Sequence, residues 1–563
     1  MNAMLMKSYR ILPAVLSLML IPSLMTAQNS KLNPTVQVTN DYNNSLKEID
    51  KAVKPVYVPD SLYKFDLNFD YSGFENPYKG NDDFNPFLTE LDLQKRAFQS
   101  KRFYLKAGAG YTLRPELEAV WTFNPDSRFK VSTYASHRSY FGTYNRVALY
   151  GNMLGRDGKE SWTGYDSKSK GGFVGRGDWD ALSMIVDVRY DGVHAKDGWI
   201  YNATRGYNAI SGALGFFSHD VSDWDYKAKV RYRYAWDKLD SLRSAQPRPV
   251  EQSIAVDGGL GYSFNASRVG LDLNVESRLG ADRMNHSYTG VAGTVTPSYH
   301  FSRNRLSVGI GLSVLFTAGN GFDSGKHKVD FWPSVKLQWE AVKGHLDLYL
   351  DADSKAAPYA IGDQAASDMF YLYDDALSVV KNYVIDGGLR GNFFEKLSYD
   401  VQFGYERNEN LPVYLLSARE GSSALPCLFP SVTHRNLDDA FGSFRINGNY
   451  TSWEFTIGAK YRYFINSADK LITPPSLSAD AKLCYNILDR ISIWAGADYV
   501  SKYRSCDYVV PEYVDLSAGA RFRFTGKMSF FLEGHNLLNQ LIQVVPMFAR
   551  KGISGTAGII VNF

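Results

Sequence analysis

The stretch YKAKVRYRYAW, from Tyr226 to Trp236, decides the fold class. Its even positions are aromatic or aliphatic, whereas Lys and Arg occupy positions 227, 229, 231 and 233. Because successive side chains of a β-strand point to opposite faces, this pattern predicts a strand with one apolar and one strongly basic face. Such a strand needs an apolar environment on one side and water on the other.

The same alternation recurs from residue 101 to residue 563. The predicted strands are roughly 10–14 residues long, longer than the usual 5 or 6, and a tilted strand of about 9–11 residues crosses a bilayer. A soluble sandwich also shows alternation, so strand length and connection pattern decide between the two. The segments that carry the pattern include 103–109, 346–353, 399–406, 477–486 and 514–524.

Short and long connections alternate along the chain. About ten short turns are expected, including those near Asn124, Asn265, Lys343 and Asp489. Such alternation is typical of outer-membrane barrels, and the turns predict an antiparallel transmembrane β-barrel of about 22 strands, a size whose lumen is normally plugged. The long connections are expected at 194–206, 238–251, 279–289, 317–327, 354–380, 408–437, 465–476 and 538–552.

Bulk composition agrees with this interpretation. The chain holds 38 Tyr, 33 Phe and 10 Trp, the aromatic load that interfacial girdles of a barrel require. The mean hydropathy of −0.28 argues against a bundle of membrane-spanning helices. A formal charge of +3 gives no electrostatic indication of nucleic-acid binding.

The N-terminus predicts export. Lys7 and Arg10 precede an apolar run, and a cleavage site near Ala27 makes 1–27 a signal peptide; a retained membrane anchor is the alternative. Residues 28–100 are rich in Asn, Asp and Pro and are interpreted as a short, largely irregular segment, periplasmic or inserted in the lumen. Residues 101–563 then form the barrel, and the expected location is the cell outer membrane.

The C-terminal motifs carry a family resemblance. The run FLEGHNLLN at 531–539 resembles the penultimate-strand motif of TonB-dependent receptors, and the last strand, 555–563, alternates and ends in Phe563. The resemblance implies an outer-membrane channel or receptor for a polar nutrient, surrounded by lipid and assembled by the barrel-assembly machinery through that last strand. No recognisable full plug domain precedes the barrel, which departs from the family pattern.

Partners and function therefore keep alternatives. The run TVQVT at 35–39 loosely resembles the box that pairs with TonB, and an ordinary extended tail is the alternative. A TonB-like protein or a lipoprotein is the candidate partner. The alternative function is a non-transporting barrel that serves as scaffold or subunit of an outer-membrane complex.

Nothing in the sequence indicates an enzyme, a cofactor or a metal site. The nine His are scattered, with no pair at metal-ligand spacing. Three Cys, at 427, 484 and 506, are too few for a disulfide framework, although Cys427 and Cys506 could pair if their loops meet.

Two sets of candidate site residues follow from the pattern. Charged rows on the predicted inner face would orient polar solutes, or would be ion pairs that keep a wide barrel round. Aromatic residues beside carboxylates in the loop 354–380 suit sugars, peptides or cationic ligands, or form a lid. The expected lumen-lining residues are Lys227, Lys229, Arg231, Arg233, Asp347, Asp351, Lys460, Arg462, Arg521 and Arg523, and the expected loop contacts are Tyr359, Phe370, Tyr371, Tyr373, Asp374 and Asp375.

Overall fold

The computed structural model describes most of the chain from residue 102 to residue 563. The expected signal peptide (1–27), the segment 28–100, the run at 35–39, and Cys427 and Cys506 lie outside the described residues, so those predictions stay predictions. Not described within the range are residues 112, 124–126, 151–153, 198–202, 220–222, 241–248, 282–286, 320–327, 360–362, 364–377, 394–395, 419–427, 466–471, 489 and 506–507.

The described chain is built of β-strands, numbered here in chain order. They are β1 (Phe103–Tyr111), β2 (Glu116–Phe123), β3 (Phe129–Tyr150), β4 (Leu154–Asp178), β5 (Leu182–Asp197), β6 (Ala203–Ser218), β7 (Trp224–Asp240), β8 (Val250–Phe264), β9 (Ser267–Ala281), β10 (Ser287–Arg303), β11 (Leu306–Gly319), β12 (Lys328–Val342), β13 (Leu346–Tyr359), β14 (Ser378–Phe393), β15 (Leu397–Ala418), β16 (Leu428–Asn449), β17 (Trp453–Phe464), β18 (Ile472–Thr473), β19 (Leu477–Ile487), β20 (Ile491–Val500), β21 (Tyr503–Ser505), β22 (Tyr508–Val510), β23 (Tyr513–Arg523), β24 (Met528–His535), β25 (Gln543–Val545), β26 (Phe548–Ala549) and β27 (Ser554–Asn562).

The long strands close into one antiparallel barrel. Each pairs with its neighbours along the chain, and the first strand pairs with the last, from Tyr104 opposite Asn562 to Tyr111 opposite Gly555. Among the described residues, 22 strands form the wall, and β18, β21, β22, β25 and β26 are short additions. The prediction of an antiparallel barrel of about 22 strands is confirmed, and closure leaves no unpaired sheet edge.

Tight turns join the strands at one end of the barrel. Asn265 and Asn304 adopt φ values of 52° and 55°, and Gly344 adopts 70°. Hairpin loops of two residues need positive φ to match the strand twist, and Asn and Gly adopt it at little cost. These turns define the short-turn end, and the opposite end is the long-loop end.

Strand lengths vary more than the sequence pattern predicts. β3 and β4 have 22 and 25 residues, and β15 and β16 have 22 each. The prediction of a loop over 408–437 is wrong, because β15 continues to Ala418 and β16 begins at Leu428. Around the closure the wall is low, since β1, β2, β24 and β27 have only 8 or 9 residues.

Candidate functional site

The two faces of the barrel wall differ sharply, and β7 shows why. Tyr226, Val230 and Tyr232 on one face are among the exposed large hydrophobic residues. The alternating positions of the other face carry the basic row, 227 to 233. Ion pairs join that face to neighbouring strands, as between Lys227 and Asp272 of β9. The same face of β9–β11 is covered by residues of β13 and β14, which bury Ala292 and Leu315. The charged face is therefore the inner one.

The basic row of β7 lies on the inner face, and two of its four cations form ion pairs within the described chain. Lys227 Nζ is 2.7 Å from Asp272, and Arg231 Nη2 is 3.3 Å from Asp257. Lys229 lies opposite Asp257 in the strand register, and Arg233 donates to the Tyr207 hydroxyl. Lys227 and Arg231 are thus paired with carboxylates of β9 and β8.

The acidic row of β13 also lies on the inner face. Asp347 accepts a hydrogen bond of 3.0 Å from Gln338 Nε2. Asp351 stands in register between Lys336 on β12 and Asp386 on β14. On the β12 side the row thus faces the polar groups of Gln338 and Lys336, whereas Asp386 on the β14 side adds another carboxylate.

The second basic area divides into two parts. On β17, Arg462 lies 3.8 Å from Asp439 and 3.7 Å from Glu406, and Lys460 lies over the Phe441 ring at 4.4 Å. Two strands, β19 and β20, separate this part from Arg521 and Arg523 on β23. The sequence could place these residues on one face but could not show that they form two separate groups.

An inward hairpin occupies part of the lumen at the long-loop end. It consists of residues 353–359 of β13 and 378–384 of β14. β12 pairs with β13 only as far as Ala352, beyond which β13 lies against β9, β10 and β11 across the interior. The prediction that 354–380 is entirely loop is therefore wrong at both ends.

Apolar packing and two ion pairs fix the inward hairpin. Ala356, Val379 and Tyr383 form a buried cluster with Ala292 and Leu315 of the wall. Lys381 binds Asp330 of β12, and Asp363, beyond the tip of β13, binds Arg278 of β9. The hairpin is attached to two separate places on the wall.

Arg278 is a central residue that the sequence analysis missed. Its guanidinium lies 2.8 Å from Glu276 and 3.4 Å from Glu251, in addition to its bond with Asp363. The signal that could have found it is the spacing of Glu276 and Arg278, two residues apart on one strand face.

The expected loop contacts are only partly described. Tyr359 is buried at the end of β13. Phe370, Tyr371, Tyr373, Asp374 and Asp375 lie outside the described residues, so their role as ligand contacts stays a prediction.

A second element, the C-terminal inner loop (residues 536–553), also packs inside the barrel. Val545 and Phe548 pack with Tyr140, Tyr144 and Trp162 on the inner face of β3 and β4. Tyr144 stacks on Trp162 at 4.4 Å and donates a 2.5 Å hydrogen bond to Asp166. The opening of the barrel at the long-loop end is thus narrowed from two sides, by this loop and by the inward hairpin.

Lys551 belongs to this loop, and its amine is buried beside an aromatic ring of β3. Its Nζ lies 5.0 Å from the centre of the Tyr140 ring. Burial lowers the pKa of the Lys551 amine to about 8.

The hairpin of β21 and β22 packs on the C-terminal inner loop, beside the low part of the wall. Tyr508 and Val510 are fully buried with Val147, Leu541 and Met547. The Tyr508 hydroxyl donates to Gln543 Oε1 at 2.6 Å. This hairpin therefore links the C-terminal inner loop to the tall hairpin of β3 and β4.

The Asn-Leu-Leu-Asn run that follows β24 forms a tight turn. Asn536 and Asn539 have φ values of 47° and 50°. The Asn536 side chain bonds both the N–H and the carbonyl of Gln540, at 2.9 and 2.8 Å, and Asn539 Oδ1 accepts the N–H of Ile553 at 3.0 Å. The motif is thus explained by turn geometry.

Two features are absent from the described residues. No helix in this part of the chain is both long and apolar enough to span a membrane. No group of three or more His, Cys, Asp or Glu within it is arranged to hold a metal ion.

Comparison with solved structures identifies the architecture. The chain is similar to the siderophore receptor PirA from Acinetobacter baumannii, with a TM-score of 0.60, 9% identity, and coverage of 82% of this chain and 80% of that one. The barrel has the fold of the TonB-dependent receptors.

Two further structures support the same assignment. The FrpB iron transporter from Neisseria meningitidis gives a TM-score of 0.60 at 10% identity, covering 84% of this chain and 83% of that one. The copper transporter OprC gives 0.57 at 14% identity, covering 82% and 80%. No family model matches the sequence, and no curated protein matches it. At these identities the likeness concerns the fold.

Proposed function

We propose that this chain is an outer-membrane channel or receptor that takes up or passes a polar nutrient. The observation that carries the proposal is a closed 22-stranded cylinder with an apolar outer face and a charged, ion-paired inner face. An apolar outer face suits lipid, and a wide polar interior suits a hydrated solute. The nutrient carriers that share the fold support the same class of function.

The mouth of the barrel supports a gated path. The inward hairpin and the C-terminal inner loop pack on the inner wall from two sides. A solute that enters from the long-loop end would pass between these two elements, and movement of either one would widen its path. Loop movements of this kind commonly set the rate of passage.

The partners belong to the same proposal. Lipid surrounds the outer face, and the barrel-assembly machinery binds the last strand, which ends in Phe563. A TonB-like protein or a lipoprotein binds on the periplasmic side, where it supplies the energy for uptake or closes the lumen. A pull-down that offers the run at 35–39 to a TonB-like protein tests whether this partner energises uptake.

Recording from planar bilayers tests the central claim. The purified full chain should give intermittent conductance, and mild urea, which releases packed loops before it unfolds a barrel, should raise the open fraction. A chain that stays silent in urea while its barrel remains folded would contradict the proposal.

The second candidate is a non-transporting scaffold, and the tall hairpin of β15 and β16 favours it. These strands extend 22 residues each, far beyond the length needed to cross a bilayer, and offer a surface for another protein. Co-purification from native membranes separates the candidates. A stoichiometric protein partner together with a silent bilayer record supports the scaffold.

A further inference from the structure

Cations on the inner face of the barrel are, as a rule, paired. Lys106 bridges two carboxylates, and Arg205, itself only 3% exposed, binds Asp237 at 3.0 Å. Other inner-face ion pairs in the described residues involve Arg138, Arg189, Arg231, Arg268, Arg278, Arg445 and Arg462.

Arg521 and Arg523 differ from these arginines. They lie two residues apart on the inner face of β23, towards the short-turn end, and no carboxylate of the described chain forms an ion pair with either. Arg521 Nη2 donates to Ser529 Oγ at 3.2 Å. The ionisable neighbours of Arg521 are Arg523 and Tyr104.

Several donors of this pair are buried without any acceptor in the described residues. They are Nε of Arg521, and both Nε and Nη2 of Arg523. The hydroxyl of Tyr104, on β1, is buried and unpaired in the same way. A buried polar group without a partner is costly, more so when it is charged, and native proteins rarely keep several of them together.

The neighbouring carboxylates do not neutralise these arginines. Glu116 and Glu533 bind Lys106, at 3.0 and 3.2 Å. Glu118 on β2 acts on Tyr104 electrostatically and has other contacts of its own. The net charge offered by the pair towards the lumen is therefore positive.

We infer that Arg521, Arg523 and Tyr104 form a binding site for an oxyanion, either a carboxylate or a phosphate group. Guanidinium forks present parallel N–H donors that match the oxygens of both groups. The site would bind an anionic solute during its passage near the short-turn end, and this role rests on the proposed function. The binding of an oxyanion does not depend on that function.

Phosphate binding to the full chain in detergent tests the inference. Inorganic phosphate is titrated at constant ionic strength with chloride as the replacing anion, and the 31P line width reports the bound fraction. The variant Arg521→Gln with Arg523→Gln should weaken phosphate binding at least about tenfold, since it removes charge-assisted bonds. Competition by acetate and by sulfate separates a site that accepts carboxylates from one restricted to tetrahedral anions.

Matched variants make the result specific. Arg445→Gln removes an inner-face arginine that is paired with Asp480 at 3.4 Å, and it should leave phosphate binding unchanged. Arg521→Lys with Arg523→Lys keeps the charge but loses the planar fork, and it should bind with intermediate affinity. If the double Gln variant fails to give the heat-modifiable gel shift of a folded barrel, Arg521→Gln and Arg523→Gln are tested singly in its place.

Two outcomes overturn the inference. One is equal line broadening for the wild-type chain and the folded Gln variants. The other is an equal loss in Arg445→Gln, which would assign the effect to the general charge of the lumen. A silent bilayer record with intact phosphate binding would instead reject the proposed function and keep the site.

Discussion

Replacing Lys381 with Met should release the inward hairpin. The Lys381 side chain is 4% exposed and binds Asp330, whose side chain is 23% exposed. Methionine fills a similar volume but removes the charge, so the Asp330 carboxylate loses its nearest cation. Lys328 Nζ remains 3.7 Å from the same carboxylate and compensates in part.

The size of the effect follows from this burial. Removing one partner of a fully buried ion pair costs about 3–5 kcal/mol, and the same change in an exposed pair costs less than about 1 kcal/mol. Because Asp330 is partly exposed and keeps Lys328, we expect an intermediate cost of about 2 kcal/mol. That value raises the ratio of released to docked hairpin about 30-fold.

Single-channel recording measures this ratio as the fraction of time spent open. Lys328→Met is the matched control, since it removes a cation from the same carboxylate at a side chain that is 58% exposed. We expect the control to change the open fraction less than about fivefold. Equal open fractions in Lys381→Met and the wild-type chain, both folded, would refute the role of this ion pair, as would equal opening by the control.

Two further perturbations test other parts of the structure. Lys106→Met removes the cation shared by Glu116 and Glu533 near the barrel closure. Because Glu116 keeps Arg138 Nη2 at 3.1 Å, urea titration should show an intermediate loss of about 2 kcal/mol in unfolding free energy, and a loss below about 1 kcal/mol would count against it. Burial lowers the pKa of Lys551 to about 8, below its value of about 10.4 in an unfolded chain. The unfolded loop therefore keeps the proton to higher pH, so the packing of residues 536–553 should strengthen as the pH rises from about 8 to about 10. Hydrogen exchange, corrected for the intrinsic effect of pH, should show this trend, and Lys551→Met should abolish it.

The wall of the barrel could be predicted because its signal is local. The alternation from Tyr226 to Trp236 depends only on neighbouring residues, and it assigned both the strand and its two faces. Turn residues such as Asn265 and Asn304 mark the ends of the strands in the same way. The number of strands followed from counting those turns.

The inward hairpin could not be predicted, since its cause is distant in sequence. Within β13 the buried positions change from odd, as at Asp347, to even, as at Ser354 and Ala356. The groups that cover the even positions include Ala292 and Leu315, on β10 and β11. For the same reason, the sequence placed Arg521 and Arg523 on the inner face but could not show that their neighbours leave them unpaired.

If the chain functions as proposed, the low wall around the closure has a consequence for the lipid that would surround it. An eight-residue strand tilted by about 40° rises only about 20 Å along the barrel axis, less than the apolar band of about 25 Å of a typical barrel. Leu113, which follows β1, and Leu538 and Ile553, which lie beside the ends of β24 and β27, are exposed apolar residues outside these strands. Irregular backbone beside acyl chains must find its hydrogen bonds internally. Asn536 and Asn539 supply such bonds within the turn that follows β24.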